Sequence, residues 1–279
     1  RWANKPFIFS TYGSDLDQLA VQGWSGITGR SFTLGERLLH LLVKHHFVRS
    51  LRKARATVLM PHQLRTAKRV GLRNLHFLPH IIDTQLFKPM DDQQRQQEKQ
   101  AMRDKMGCNL ILFHPPRQTW LDRSTADCKG NDKVFRAFAK FIHTYKGRAK
   151  LLVVRKGWDI EPSMGLAREL EISESVVWLD PAPRQEMCRL YNVADIVLDQ
   201  FAVGVIGSVA IEAMTCGTPV ITYATNDAKE LLYPEMPPVL NSYSEDEVLA
   251  NMRRLAEDGT LSRALLGAQG KEWVEAHCS

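Results

Sequence analysis

The sequence lacks the long apolar runs and the cysteine pairs that mark several protein classes. No apolar run approaches the roughly 18 residues that a membrane-spanning helix needs. The five cysteines are scattered along 279 residues, odd in number and without a CxxC pair, which is typical of a reducing compartment and predicts no metal site. Tandem repeats and low-complexity tracts are also missing, and the ordinary apolar share of 44% and charged share of 24% indicate a globular protein.

Several motifs with a known chemistry are absent. Without G-x-x-x-x-G-K-[ST] the chain has no P-loop, and the lack of an intact G-x-G-x-x-G after a strand counts against a dinucleotide oxidoreductase. The nucleophile elbow G-x-S-x-G is missing as well, because in residues 204–208 (GVIGS) the serine follows the second glycine. Aromatic residues are not interleaved with Lys and Arg, so no nucleic-acid partner is predicted.

The charge is distributed unevenly. Residues 1–110 carry 18 Lys and Arg against 8 Asp and Glu, whereas the remainder carries 19 against 23. A basic N-terminal part suits an anionic partner, such as an acidic lipid surface or a lipid-diphosphate acceptor, although a solvated basic face has the same composition. Residues 33–56 combine apolar residues at helical spacing with cations such as Lys44 and Arg49. A helix of this kind either lies on an anionic membrane or packs its apolar face on a sheet.

The C-terminal part alternates strand and helix patterns. Short apolar runs predict buried strands over 109–114, 150–154, 175–179 and 194–198, with helices between them. This alternation predicts an α/β fold with a parallel, doubly wound sheet. Ligands bind such sheets beyond the carboxyl ends of the strands. The loops that follow the strands are therefore the candidate site.

The loop and helix after the strand at 194–198 carry the strongest signal. Gly204 and Gly207 allow backbone conformations that a side chain would forbid, and a helix is predicted over 208–215. The free N–H groups at its start favour an anion, typically phosphate, beside Gly207 and Ser208. Glu212 lies on the same helix face as Ser208, and a carboxylate in an otherwise apolar helix needs a partner. Any doubly wound α/β unit would share the glycines and the helix, but not this carboxylate.

Two cations are expected at the same edge of the sheet. Arg117 follows the strand at 109–114, and Lys129 precedes Gly130 at the start of the next helix. Together with the helix start and Glu212, they suit a nucleotide diphosphate whose ribose hydroxyls donate to the carboxylate. Fixed cations would stabilise the charge that a leaving diphosphate gains. Taken alone, Arg117 is equally explained as an arginine of a surface loop. Lys129 alone is equally explained as a solvated lysine at a helix start.

The run 204–220 closely resembles the donor-sugar signature of the retaining GT-B glycosyltransferases of family 4, E-G-F-G-x-x-x-x-E-A-M-A-x-G-x-P-V. The matching residues are Gly207, Glu212, Ala213, Met214, Gly217, Pro219 and Val220. The first Glu of the signature, which contacts the transferred sugar in the family, falls on Gly204. The family pattern G-R-x…K-G places its Arg and Lys on the donor diphosphate, and Arg117 and Lys129 match it.

The N-terminal part is similar to the same family. The run KPFIFSTYGSDL resembles a strand followed by H-G-S-D-L, with Tyr12 at the position of the His. The resemblance implies that Gly13 and Asp15 help to position an acceptor, whereas the residues alone also suit a plain strand-to-helix turn. Residues 76–89 resemble the exit from the first domain of the family.

The resemblance implies a GT-B fold with two Rossmann-like doubly wound parallel-sheet domains. The chain begins at Arg1, and the first domain is expected to be only partly present. We assign residues 1–90 to the C-terminal part of the acceptor domain, 91–108 to a linker and 109–279 to the domain that binds the nucleotide-sugar donor.

The implied function is a hexosyltransferase-type glycosyltransferase of polysaccharide biosynthesis. It moves a sugar, with retention, from a nucleotide-diphosphate donor to a glycan, lipid-linked or small acceptor. The implied catalytic residues are Arg117 and Lys129, and the implied donor-binding residues are Gly204, Gly207, Ser208 and Glu212. No metal or cofactor is expected, and the expected location is cytoplasmic, with peripheral contact at the inner face of the membrane. A catalytically silent GT-B nucleotide-sugar-binding module, or a GT-B epimerase or phosphorylase, is the alternative.

Overall fold

The computed structural model describes residues 6–11, 16, 33–125, 127–257 and 259–278, without the side chains at 36, 37, 40 and 228. The chain forms two compact units. The first comprises residues 1–78 with the short stretches 124–127 and 230–232, and the second comprises residues 79–123, 128–229 and 233–279. Each unit is built around its own parallel sheet.

The first unit contains a three-stranded parallel sheet in the order β1-β2-β3. A small core forms where Phe47 and Val48 pack on buried Leu51, Leu59 and Ala67. The elements in chain order are β1 (Ile8–Ser10), α1 (Leu34–Leu51), β2 (Ala56–Leu59), a 3-10 turn (Pro61–Gln63), α2 (Leu64–Arg69) and β3 (Leu75–Phe77).

The second unit contains a six-stranded sheet covered by helices. The chain passes through α3 (Asp92–Met106), β4 (Leu110–His114), α4 (Asn131–Thr144), β5 (Ala149–Val154), α5 (Ile160–Glu169), a 3-10 turn (Ser173–Ser175), β6 (Val176–Leu179), α6 (Arg184–Val193), β7 (Ile196–Leu198), α7 (Ser208–Thr215), β8 (Val220–Thr222), α8 (Asn226–Leu231), β9 (Leu240–Asn241), α9 (Glu245–Glu257) and α10 (Gly259–His277).

The strand order of the second sheet is β6-β5-β4-β7-β8-β9, and every pair is parallel. The central strands β4 and β7 are buried along their whole length, as expected of strands covered on both faces. The order reverses between β4 and β7, because the chain first builds outward to β6 and then returns to the far side of β4. A crevice forms at such a reversal, beyond the carboxyl ends of the strands.

The α/β class and the parallel sheets confirm the prediction from the sequence. The helix predicted over 208–215 is α7, and Gly217 after it has a φ of 69°, the left-handed conformation that glycine allows at a helix end. The patterns did not predict α8 or β9, which are six and two residues long. Elements this short carry too little periodicity to be recognised.

The segment predicted as a linker is mostly helix α3. Asp91 caps its start by accepting hydrogen bonds from the amides of Gln93 (3.0 Å) and Gln94 (3.3 Å). Gly107 ends it in the left-handed conformation, with a φ of 61°. This helix belongs to the second compact unit, while the domain limits drawn from the sequence stay a prediction. Across the part of the chain that the structure describes, no helix has the length and apolarity to cross a membrane.

Candidate functional site

The candidate site lies where the sheet order reverses, at the carboxyl ends of β4 and β7. The loop 115–130 leaves β4 toward α4, and the loop 199–207 leaves β7 toward α7. Because β4 and β7 are hydrogen-bonded neighbours, both loops begin side by side. The sequence placed Arg117 and Lys129 on the first loop and Gly204 and Gly207 on the second.

A buried histidine joins the two strands at this edge. His114, the last residue of β4, donates from Nδ1 to the carbonyl of Leu198 (2.9 Å), since a carbonyl can only accept. Its Nε2 therefore accepts from Nδ2 of Asn131 (2.8 Å), at the start of α4. Burial lowers the pKa of His114 to about 4, so the imidazole is neutral near pH 7. No sequence motif identified His114, although a histidine at the end of an apolar strand is a signal in the sequence.

The loop that carries Arg117 is fastened to the neighbouring loop after β5. The amide of Gln118 donates to the carbonyl of Lys156 (2.6 Å), and the carbonyl of Gln118 accepts from the amide of Asp159 (2.9 Å). The carbonyl of Arg117 accepts from Nδ2 of Asn131 (3.2 Å), while its side chain is exposed. The backbone of Arg117 is thus held in place, with its guanidinium at the surface of the site.

Lys129 is placed between the two loops by its backbone. Its amide donates to the carbonyl of Thr119 (2.6 Å), and its carbonyl accepts from the amide of Phe201 (2.7 Å). The next residue, Gly130, has a φ of 67° and packs so closely that an added Cβ would lie 3.2 Å from the carbonyl carbon of Phe201. A side chain at Gly130 would be strained and crowded. Gly130 therefore allows Lys129 to approach the loop after β7.

Asp199 is an acidic residue of this site that no sequence motif identified. It follows β7 directly and is 3% exposed, and its Oδ2 lies 3.0 Å from the position that a Cβ on Gly207 would take. Burial raises the pKa of Asp199 to about 6, against the lowering effect of the Lys129 ammonium and of the Gly207 and Ala210 amides. A carboxylate therefore already lies under the start of α7, where the sequence predicted only a phosphate.

Glu212 has a partner within its own unit. The phenol of Tyr191, which is fully buried on α6, donates to Oε2 of Glu212 (2.8 Å). The exposed guanidinium of Arg184 lies 3.9 Å from Oε1. Burial raises the pKa of Glu212, and Tyr191 and Arg184 oppose that rise. The partner that the sequence required for this carboxylate is thus mainly a tyrosine 21 residues away.

Two other predicted site residues have different surroundings: Ser208 is open to solvent, whereas Gly204 is closely packed. Ser208 is exposed at the start of α7. Gly204 has a φ of 76°, and an added Cβ would lie 2.6 Å from Cγ2 of Thr225 and 2.9 Å from Cε1 of Tyr223. No side chain fits there without movement of its neighbours. Gly13 and Asp15 lie outside the described residues.

The structure thus brings Lys129, Asp199 and the start of α7 together, with Glu212 close enough to raise the pKa of Asp199. Among the described residues, no group of three or more His, Cys, Asp or Glu side chains is arranged to hold a metal ion. The cluster has the charges to bind an anion and a carboxylate to accept from hydroxyl groups.

Solved structures with the same fold include glycosyltransferases. Sucrose-phosphate synthase from Thermosynechococcus elongatus aligns with a TM-score of 0.65 and 18% identity, over 99% of this chain and 64% of that one. Anabaena Alr3699/HepE, solved in complex with UDP and glucose, aligns with a TM-score of 0.67 and 15% identity, over 98% of this chain and 67% of that one. At these identities the likeness shows the fold, and it confirms the expected GT-B architecture.

Sequences similar to this chain include proteins named as glycosyltransferases. D-inositol 3-phosphate glycosyltransferase 1 of Catenulispora acidiphila is 28% identical over 216 residues, which are 72% of this chain and 49% of the relative. A D-inositol 3-phosphate glycosyltransferase of Corynebacterium jeikeium is 34% identical over 103 residues, or 35% of this chain and 25% of the relative. The chain thus spans at most about half the length of these relatives. The family model for glycosyl transferases group 1 matches residues 124–273, more than half of the chain, and the chain therefore belongs to this family.

Proposed function

We propose that the chain binds a nucleotide-diphosphate sugar in the crevice between the loops after β4 and β7 and transfers the sugar to an acceptor. The observation that carries this proposal is the position of Lys129, whose backbone is bonded to both loops and whose ammonium acts on Asp199 beneath the start of α7. A cation beside a helix start at the reversal of a doubly wound sheet suits a diphosphate. The family and the UDP complex of the Anabaena neighbour support the same ligand class.

Arg117 and Lys129 are the proposed catalytic residues. A departing nucleotide diphosphate gains negative charge as the glycosidic bond breaks, and fixed cations stabilise this charge without reorganising water. Arg117 suits the outer part of the diphosphate, because its backbone is anchored while its side chain is exposed. The ammonium of Lys129 already acts electrostatically on Asp199, and a bound diphosphate competes with that carboxylate for it. Before a ligand binds, the positive charge of the pocket is therefore lower than Lys129 alone would give, because Asp199 partly offsets it.

Gly207, Ser208 and Glu212 are the proposed donor-binding residues on α7. The dipole at the start of this helix favours the phosphates, while the Gly207 and Ala210 amides already act on Asp199. Glu212 accepts from the ribose hydroxyls. Because Oε2 of Glu212 already accepts from Tyr191 (2.8 Å), the free acceptor is Oε1. Tyr191 is then a positioning residue, which fixes the carboxylate without touching the ligand.

The sugar itself must be recognised without a carboxylate at position 204. The left-handed backbone at Gly204 and the approach of Thr225 disfavour the family Glu there, since its Cβ would require the neighbouring side chains to move. This observation favours the second candidate, a GT-B module that binds a nucleotide sugar without turnover. Binding of UDP-glucose with no release of UDP in the presence of any acceptor would support that module over the transferase.

We infer from the resemblance to family 4 that transfer proceeds with retention. In such a reaction the acceptor attacks from the side on which the diphosphate departs, and a diphosphate oxygen takes the acceptor proton. The proposed acceptor is a glycan, a lipid-linked sugar or a small alcohol, as in polysaccharide biosynthesis. Gly13 and Asp15 stay the predicted acceptor-side residues.

A peripheral contact with an anionic membrane is part of this proposal. Helix α1 exposes Leu38, Leu39, Leu41 and Leu42, each more than half accessible, and it also carries Lys44 and Arg49. Exposed leucines beside cations suit the interface of an acidic bilayer. Sedimentation with vesicles of phosphatidylcholine, with and without phosphatidylglycerol, tests it. Vesicle binding that depends neither on the acidic lipid nor on the salt concentration would contradict a contact between α1 and an anionic membrane.

The donor is identified by a thermal-shift screen of UDP-, GDP- and ADP-sugars on the full-length protein. We expect one nucleotide family to raise the melting temperature, followed by release of the matching nucleotide when an acceptor is added. A protein that is stabilised by none of the three families contradicts the donor site. An aldimine absorbance from a pyridoxal lysine would instead indicate the phosphorylase alternative.

A further inference from the structure

A cavity of about 520 Å³ lies at the opposite edge of the second sheet, where β7 and β8 begin. Its walls are helix α3, the turns before β7 and β8, and the first turn of α10. Helix α7 separates this edge from the candidate donor site, and its eight residues span roughly 12 Å at the usual rise of an α-helix. The cavity is therefore distinct from the crevice at the carboxyl ends of the strands.

The cavity has more positive than negative side chains. Arg95, Lys99, Arg103 and Arg263 line it, whereas the acidic lining residues are Asp92 and Asp195. Arg95, Lys99 and Arg103 are four residues apart on α3, so they lie on one face of the helix. Such a spacing directs three cations toward the same space.

Part of this charge has a structural role. Nε of Arg95 donates to the carbonyl of Asn192 (2.8 Å), and its Nη2 donates to the carbonyl of Gly217 (3.3 Å) and to the hydroxyl of Thr218 (2.9 Å). Lys99 donates to the carbonyl of Ala194 (3.1 Å). These bonds satisfy carbonyls at the ends of α6 and α7, and they attach α3 to the sheet.

The hydrogen bonds that attach α3 to the sheet do not use all the N–H donors of the cations that line the cavity. Within the described part of the chain, the buried Nε of Arg103 makes no hydrogen bond. A buried donor without an acceptor is costly, more so on a charged group. Arg103 therefore offers a buried donor to the cavity that has no acceptor within the described residues.

The carboxylates of the cavity do not balance the cations. Asp195 accepts from Lys99 (3.2 Å) and Arg103 (2.7 Å) through Oδ1, and from the amide of Ile111 (2.8 Å) through Oδ2. Although burial acts to raise it, the pKa of Asp195 is lowered by these partners, so one ionised carboxylate is shared by two cations. Burial lowers the pKa of Arg95 and of Lys99, because both cations are partly removed from water.

We propose that this cavity binds a small phosphorylated metabolite through Arg95, Lys99 and Arg103. Guanidinium groups match the geometry of phosphate oxygens and bind them with two parallel hydrogen bonds. A volume of about 520 Å³ exceeds what a phosphate ion fills and suits a phosphoryl group with a sugar-sized body. The proposal concerns a second ligand and does not depend on the donor site.

Hydrogen exchange of the unmodified protein locates the site. Glucose 6-phosphate and pyrophosphate are the probes, the first carrying a sugar body and the second only the phosphoryl groups. We expect both to slow amide exchange over 92–106 and 259–264, with the stronger effect from glucose 6-phosphate. Protection confined to 117–131 and 204–212, or no protection at all, overturns the proposal.

Substitutions then assign the residues. In a Lys129→Ala background, which removes a cation from the donor site, Arg103→Gln is expected to weaken glucose 6-phosphate binding by about tenfold or more. The matched control is Lys140→Gln, a surface cation of α4 paired with Glu245 (2.7 Å), which should leave the affinity within about twofold. Equal affinities of the two variants overturn the proposal. Arg95→Gln gives a second comparison, since Arg95 also attaches α3 and that variant can lose stability.

Discussion

The phenol of Tyr191 and the carboxylate of Glu212 form a hydrogen bond of 2.8 Å that joins α6 to α7. Burial holds the pKa of the phenol well above its ordinary value, so Tyr191 stays a donor and Glu212 the acceptor. This bond makes one oxygen of Glu212 structural and leaves the other near the exposed Arg184. The two proposed roles of Glu212, ligand binding and packing, can therefore be separated by mutation.

Glu212→Gln is expected to weaken nucleotide binding by roughly 10- to 150-fold, because a carboxylate that accepts from hydroxyls is replaced by a weaker acceptor. The melting temperature should change little, since the amide oxygen still accepts from Tyr191 and a half-buried charge is removed. Calorimetric titration with nucleotide beside a thermal melt measures both.

The control for Glu212 is Tyr191→Phe, which leaves Oε2 without its donor. We expect it to lower the free energy of unfolding by about 1–3 kcal/mol. A large drop in melting temperature for Glu212→Gln, with an unchanged dissociation constant, would remove the ribose role and leave only the structural one.

Arg117→Ala is expected to weaken a nucleoside diphosphate by about tenfold or more and the free nucleoside hardly at all, because only the phosphates carry charge. Lys129→Ala should act in the same direction. Titration with UDP and with uridine, or with the pair matching the identified donor, gives the comparison. Lys140→Ala, a surface cation outside the site, is the control. Equal losses for diphosphate and nucleoside would exclude both residues from the phosphate site.

Gly204→Ala and Gly259→Ala form a matched pair, since both glycines have a φ of 76°. At both positions an alanine would therefore adopt the same left-handed φ, which L-residues disfavour. An added Cβ meets nothing within 4 Å at Gly259 but would lie 2.6 Å from Thr225 at Gly204. We expect Gly204→Ala to lose about 1–3 kcal/mol more stability in urea denaturation. Equal losses would mean that the neighbours of position 204 accommodate a Cβ, and would contradict the steric restriction at Gly204.

Asp199→Asn is expected to change how stability depends on pH. Burial raises the pKa of Asp199 to about 6 from 3.8, so the folded state binds its proton more tightly than the unfolded state. The stability contributed by that proton is complete below about pH 4 and is lost as the pH rises through about 6. The variant lacks this dependence. Its free energy of unfolding should gain about 3 kcal/mol relative to the unmodified protein between pH 4 and pH 7.

Urea denaturation at unit steps of pH measures this difference. The charged groups that act on Asp199 are Lys129 and Glu212, so Lys129→Ala is the informative companion. Loss of the ammonium should raise the pKa of Asp199 further and move the transition to higher pH. A free-energy difference that does not vary with pH would show that the pKa of Asp199 is the same in the folded and unfolded states, and would contradict the raised pKa.

The sequence by itself determined the α/β class, most helices and strands, and the edge of the sheet on which the candidate site lies. Those features depend on local signals: apolar runs for the buried strands, the left-handed Gly217 after α7, and a helix start placed just after a strand. The prediction that Lys129 lies at the start of a helix also depended only on its neighbours in the chain. Local signals were sufficient because each concerns a backbone preference of a few residues.

Only the tertiary structure decided what the polar side chains contact. Tyr191 lies 21 residues from Glu212, His114 lies 17 residues from Asn131, and Thr225 limits Gly204 from 21 residues away. The cations of α3 could be placed on one helix face from their spacing, but not opposite the carbonyls at the ends of α6 and α7. Such contacts depend on how strands order themselves in the sheet, and no local pattern specifies the distance between residues that meet only through packing.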